Sequence, residues 1–134
     1  MIELSLHEGE GLIHLATVAE AQNLSQKYLE QLAMSLRHSG LVNAERGSQG
    51  GYELAQSPAD ITALQIVQAV EGPIELITCV ARPSTCERSV GCAAHGLWRR
   101  LGGAINNVLL ETTLADLRED QRRLPAVSPG AYNI

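Results

Sequence analysis

Residues 15–55 read LATVAEAQNLSQKYLEQLAMSLRHSGLVNAERGSQGGYELA, and this stretch decides the fold. Leu15, Val18 and Ala19 give a short helix over residues 15–22 one apolar face. Asn23 tolerates a left-handed backbone, so Asn23-Leu24 makes a tight turn. Ser25 then caps a second helix over 26–38, whose Leu29, Leu32, Ala33 and Leu36 share a face, and Gly40 closes it in the left-handed conformation. Small Ala19 suits the crossing point, with Leu24, Leu29 and Leu32 expected to lock the second helix onto the first. Two helices joined in this way form either a helix-turn-helix or an ordinary helical hairpin.

The next residues favour the first. Residues 41–46 read as a strand, Gly47-Ser48-Gln49-Gly50-Gly51 as a glycine-rich turn, and 52–55 as the returning strand. A helix-turn-helix followed directly by such a hairpin is the winged-helix arrangement: the second helix enters the major groove and the hairpin lies along the backbone or minor groove. Arg46, at the base of the wing, is the best placed groove or phosphate contact; the plainer alternative is a solvated strand-end charge.

Working outward, residues 1–7 carry a helical pattern with Ile2, Leu4 and Leu6 apolar, and look like the back half of a helix ended by Glu8 to Gly11. Residues 63–70 form a helix capped by Thr62 and stopped by Gly72-Pro73. Residues 93–111 make the longest helix, whose Leu97, Leu101, Ala104, Ile105, Val108 and Leu109 keep an apolar seam over four turns. With Trp98 beside it and Gly102-Gly103 permitting close approach, the seam suggests an antiparallel helix pair between two subunits; the alternative folds it back on its own domain. A last helix runs from Thr113 to Arg123, with Thr113 and Asp116 at capping-box spacing. The expected fold class is therefore mainly α with a small β-hairpin, a winged helix-turn-helix followed by a long dimerisation helix. The chain divides into a winged-helix domain at 1–72 with a truncated first helix, a cysteine-rich loop at 73–92, dimerisation and C-terminal helices at 93–123, and a disordered tail at 124–134.

All three cysteines and one of the four histidines fall in CVARPSTCERSVGCAAH, residues 79–95. Pro83, Ser84, Ser89 and Gly91 argue against a regular helix or strand here, so a loop is expected. Three thiolates and one imidazole suit a structural zinc ion or an iron–sulfur cluster. Zinc knuckles usually pair cysteines two to four residues apart. The wider gaps between Cys79, Cys86 and Cys92 favour a [2Fe–2S] core. A helix starting near Cys92 would put His95 one turn along the same face. Three reduced, metal-free cysteines are the plainer alternative.

Composition narrows the class. The 134 residues suffice for one domain with a modest core, and with no Phe and 3% aromatics that core must rest on Leu, Ile, Val and Ala, which favours helices. An odd cysteine count without a cleavable leader points to the cytoplasm, and no apolar run approaches the ~20 residues that cross a bilayer, so no membrane partner is expected. The formal net charge of −5 means that DNA affinity would rest on a local patch. Paired carboxylates, a nucleophile with an assigned base, and a phosphate loop are all missing, so an enzyme is not expected.

LSQKYLEQLAMSLRHSGLV at 24–42, RGSQGGYELA at 46–55, and the three cysteines followed by AAHGLWRRL occur in an order that resembles the Rrf-type winged-helix transcription regulators over about residues 1–120. The resemblance implies a homodimer on a palindromic double-stranded operator, with a [2Fe–2S] cluster between the winged-helix domain and the dimerisation helix controlling operator binding in response to redox state, iron or nitric oxide. It puts Cys79, Cys86 and Cys92 on the family's cluster cysteines and His95 on the histidine ligand of its iron–sulfur branch. It also places Ser25, Gln26, Lys27, Tyr28 and Glu30 on the recognition helix, and Arg46, Gly47, Ser48, Gln49 and Gly50 in the wing. Glu30 would select sequence by accepting from a cytosine amino group more than it would add affinity.

Two departures matter. Family members open with a basic segment, whereas residues 1–24 contain Glu3, Glu8, Glu10 and Glu20 and no Lys or Arg, so either a start further upstream or weak DNA binding is expected. The gap between the first two cysteines is also one residue longer than usual, which a loop absorbs. Two other functions fit the residues: a cluster-free regulator sensing by thiol oxidation, and an acidic protein-interaction module binding a metabolic enzyme.

Overall fold

The computed structural model describes residues 1–125. Helix α1 (Ile2–Leu6) leads into α2 (Leu15–Gln22) and α3 (Gln26–His38), followed by strands β1 (Val42–Glu45) and β2 (Gly51–Leu54). Helix α4 (Ala63–Glu71), the one-turn α5 (Thr78–Ala81), the long α6 (Ala93–Glu111) and α7 (Leu114–Arg123) complete the order. Leu4, Val18, Leu36, Leu41, Val42, Ile61 and Leu114 form one buried cluster, so the core sits where α1 to α4, the foot of the hairpin and α7 meet.

The turn between α2 and α3 has the conformation its residues require. Asn23 is left-handed at φ 51°, and the Leu24 N–H donates to the carbonyl of Ala19 at 3.0 Å, closing α2. The Ser25 hydroxyl accepts from the Tyr28 N–H at 3.2 Å and caps α3. Gly40 lies at φ 71° as expected, and the Leu41 N–H returns to the Leu36 carbonyl, which directs the chain into β1. Leu24 departs from expectation. It is 44% exposed, and Leu29 and Leu36 are the α3 leucines that pack in the core, because the left-handed turn swings Leu24 outward.

In the hairpin, Val42 pairs with Leu54 and Glu45 with Gly51, so the ladder covers 42–45 and 51–54. Ile13 adds a third backbone partner: its N–H donates to Tyr52 O at 2.9 Å and its carbonyl accepts from Tyr52 N at 2.8 Å. This approach explains Gly51, where a Cβ would stand 2.7 Å from the Ile13 carbonyl oxygen. Gly50 is equally constrained, since a Cβ there would overlap the Glu45 carbonyl.

Helix α7 completes the winged-helix core, although the sequence groups it with the long helix. Its capping box is formed, with the Thr113 N–H donating to Asp116 Oδ2 at 2.8 Å and the Asp116 N–H to Thr113 Oγ1 at 3.1 Å. The strand-like approach to it pairs Leu114 N with Ile61 O and Ala63 N with Thr112 O, both at 2.8 Å. Arg118 then donates to the Ser5 carbonyl at 3.2 Å and pairs with Glu8, tying α7 to the end of α1.

Between these fixed points α6 packs along α4 and α5, and none of its residues is fully buried. The expected single seam divides in two. Trp98, Gly102, Ile105 and Leu109 are half-buried, whereas Leu97, Leu101, Ala104 and Val108 are exposed. Apart from the exposed Leu124 and Pro125, the expected tail lies outside the described residues.

Candidate nucleic-acid interface and cysteine segment

Helix α3 turns Leu29, Ala33 and Leu36 inward, so helical periodicity puts Lys27, Gln31, Met34 and His38 on the opposite face, all exposed. The residues proposed from sequence have distinct local roles. Ser25 is committed as the cap, and Tyr28 is 48% exposed. Gln26 Nε2 donates to Glu30 Oε1 at 3.1 Å, so these two form a donor–acceptor pair one turn apart. Lys27 is free of ion pairs among the described residues.

In the wing, Arg46, Ser48 and Gln49 are exposed, and Gly47, at φ 117°, allows the tight return in which Gly50 N donates to Gly47 O at 3.0 Å. Lys27, Arg37 and Arg46 are the only Lys or Arg residues in the first 72 of the sequence. All three lie on α3 or at the wing, elements that also carry the exposed Glu30, Glu45 and Glu53. Gln31 and Met34 escape the sequence reading because it follows the resemblance only to Glu30. The signal was present in their spacing from Lys27, at i+4 and i+7.

The cysteine segment is more ordered than the expected loop. Cys79 sits half-buried on α5, 3₁₀ turns follow at Pro83–Thr85 and Ser89–Gly91, and Cys92 is the exposed N-cap of α6. The helix-breaking residues fall after Ala81, which leaves Thr78–Ala81 free to form a turn with Ile77 and Val80 half-buried beside α6. His95 lies in the first turn of α6, as the spacing predicts. Its Nδ1 is buried and has no hydrogen-bond partner.

This donor set matches the chemistry of an iron–sulfur or zinc shell, and one nitrogen of His95 is buried without a partner. The four donors are not gathered in this conformation. Among the described residues, no three His, Cys, Asp or Glu side chains stand close enough to hold one metal. Backbone bonds across residues 82–91 are local, such as Thr85 N to Arg82 O at 3.0 Å and Ser89 N to Cys86 O at 3.1 Å.

A two-helix reader, a β-hairpin wing and a long helix behind them define a winged-helix regulator. The family model described as "Rrf2: Iron-dependent Transcriptional regulator" matches residues 1–120. The HTH-type transcriptional regulator CymR of Bacillus subtilis is 42% identical over 87% of this chain and 80% of its own length. The solved structure of B. subtilis CymR, the global cysteine regulator of that organism, superposes with a TM-score of 0.72 at 40% identity over 89% of this chain and 87% of that one. IscR of Vibrio atlanticus is 36% identical over 92% of this chain and 71% of its own length. Staphylococcus aureus CymR, solved in an oxidized form, matches with a TM-score of 0.70 at 40% identity over 88% of this chain and 86% of that one. The chain belongs to the Rrf2 family of DNA-binding transcription regulators. Among the described residues, no helix is long and apolar enough to cross a membrane.

Proposed function

We propose that this protein is a cytoplasmic homodimeric regulator whose binding to a palindromic operator is controlled by a [2Fe–2S] cluster on Cys79, Cys86, Cys92 and His95. The observation that carries this reading is the buried, partnerless Nδ1 of His95, one turn beyond Cys92. Leaving such a nitrogen unsatisfied costs on the order of 1–3 kcal/mol, and a metal ligand bond removes that cost. The cluster, when bound, supplies a redox- and iron-responsive link among the four donors.

The chain's own residues do the rest. Cys79 rides on α5, whose neighbours Ile77 and Val80 line a cleft of about 190 Å³ against Trp98, Gly102 and Asn106 of α6. Closing the segment toward His95 would reset how α5 bears on α6. The exposed Leu97, Leu101, Ala104 and Val108 follow the four-three-four spacing of a helix-pairing seam. Pairing α6 about a two-fold axis would present two α3 helices to two half-sites, with Lys27 and Arg46 toward phosphate and the Gln26–Glu30 pair toward base edges.

The test is anaerobic purification followed by a visible spectrum with iron and sulfide counts. About two irons per chain, with loss of the bands in Cys92→Ser and His95→Ala, is expected. Colourless protein that resists reconstitution would overturn the cluster.

Thiol oxidation without metal is the second reading, favoured by three separate thiols of which Cys92 is exposed, and by the relative solved in an oxidized form. It predicts that peroxide changes DNA binding of metal-free protein and that Cys92→Ser abolishes the change. A third function, an acidic module binding a metabolic enzyme, would show a stable protein partner and no salt-dependent DNA affinity.

A further inference from the structure

The solvent face of α3 carries a large apolar side chain more exposed than Tyr28. Met34 is 68% exposed, more than any other large hydrophobic among residues 1–72. It stands in line with Lys27, Gln31 and His38, opposite the buried Ala33 and Leu36. No described contact in the chain explains its position, and a helix face used only for solvation has no need of it. A groove-facing helix does. Hydrogen-bonding groups dominate the major-groove edges of the bases, and thymine adds one apolar feature, its 5-methyl group. A methionine is unbranched and polarizable, so it can close over such a methyl without a rigid fit.

We propose that Met34 reads the 5-methyl group of one thymine in each half-site and is a specificity-determining residue of the recognition helix. This rests on the reading of α3 as the major-groove helix. Seven residues separate Met34 from Lys27, an axial distance of roughly 10 Å. Lys27 supplies sequence-independent attraction and Met34 a base-dependent contact, from two ends of one exposed row.

The test uses the full-length protein and a short duplex enriched by it from a randomised pool. Each thymine is replaced in turn by deoxyuridine, which removes the methyl and nothing else. The expected result is one thymine per half-site whose replacement weakens the wild-type protein about fourfold, the value of one buried methyl group. Met34→Ala and Met34→Gln bind the thymine duplex about fourfold more weakly and no longer distinguish it from the deoxyuridine duplex, while Met34→Leu retains the distinction. If the wild type enriches and binds a duplex but every deoxyuridine replacement affects wild type and Met34→Ala alike, the inference is overturned while the groove-helix reading stands. If no duplex is enriched and none is bound, both fall together. Thermal melts establish that the variants remain folded, as expected for a side chain so exposed.

Discussion

The backbone N–H of Leu114 donates to the carbonyl of Ile61 at 2.8 Å, and both side chains are fully buried. This pairing seals the last helix into the winged-helix core and fixes the C-terminal end of α6. Its other end starts at Cys92, beside α5. The long helix therefore spans from the cysteine segment to the core that carries α3. Truncating Leu114 to Ala should cost about 2–5 kcal/mol, because the site has no exposed side through which to collapse. Urea denaturation checks this; a change under about 0.5 kcal/mol would mean that α7 is peripheral.

Gly51→Ala should destabilise the wing. The new Cβ would meet the Ile13 carbonyl oxygen at 2.7 Å and the Ile13 nitrogen at 3.0 Å, which are backbone atoms held by two hydrogen bonds to Tyr52. The expected loss is about 1–3 kcal/mol, accompanied by faster hydrogen exchange at the Ile13 and Tyr52 amides.

Lys27→Ala and Arg46→Ala should each weaken DNA binding on any sequence and lower the slope of log affinity against log salt by about 0.9 per lost phosphate contact. Both are exposed, so stability should change by less than about 0.5 kcal/mol. An unchanged salt slope in both variants would remove α3 and the wing from the interface.

Charge on the outer face of α6 should separate subunits. Leu101 is 43% and Val108 63% exposed, and burying either against a symmetry mate leaves no room for a carboxylate. Leu101→Glu and Val108→Glu are expected to sediment as folded monomers and to lose tenfold or more in affinity for a two-half-site duplex, about 1.4 kcal/mol. Dimers persisting at micromolar concentration would place the interface elsewhere.

Two groups set opposite pH trends. The Thr113 hydroxyl and then its N–H hold the Asp116 carboxyl below its usual 3.8, so the capping box stabilises fully above that value. The contribution is lost as the pH falls through the depressed native value. Hydrogen bonding to Glu10, at 2.7 Å, is the main cause that raises His7, with Glu3 adding to it. That contribution is complete below 6.5 and disappears as the pH rises through the raised native value. Melting temperatures of the wild type, Asp116→Asn and His7→Ala across pH should show the acid loss absent in the first variant and the neutral loss absent in the second.

Local chemistry was enough to determine most elements of this protein, though not the one-turn α5 and the 3₁₀ turns of the cysteine segment. Asn23 at the turn, Ser25 and Thr62 as caps, Gly40 as the exit and Gly47 in the wing turn each act within a few residues. Their conformations therefore follow from their own side chains. For the candidate site the sequence names the donors at 79–95, Lys27 on α3, Arg46 at the wing and the position of His95 one turn past Cys92, but not whether the donors gather. What only the tertiary structure decided is where faces go. Periodicity shows that α6 is apolar along its length but not that Ile105 and Leu109 turn inward while Leu97, Leu101 and Val108 remain outside, since that depends on where α4 and α5 lie. Leu114 reads as the start of a polar helix, and its burial depends on a distant partner, Ile61. The orphaned nitrogen of His95 is likewise a relation between a side chain and everything around it, which one-dimensional spacing does not contain.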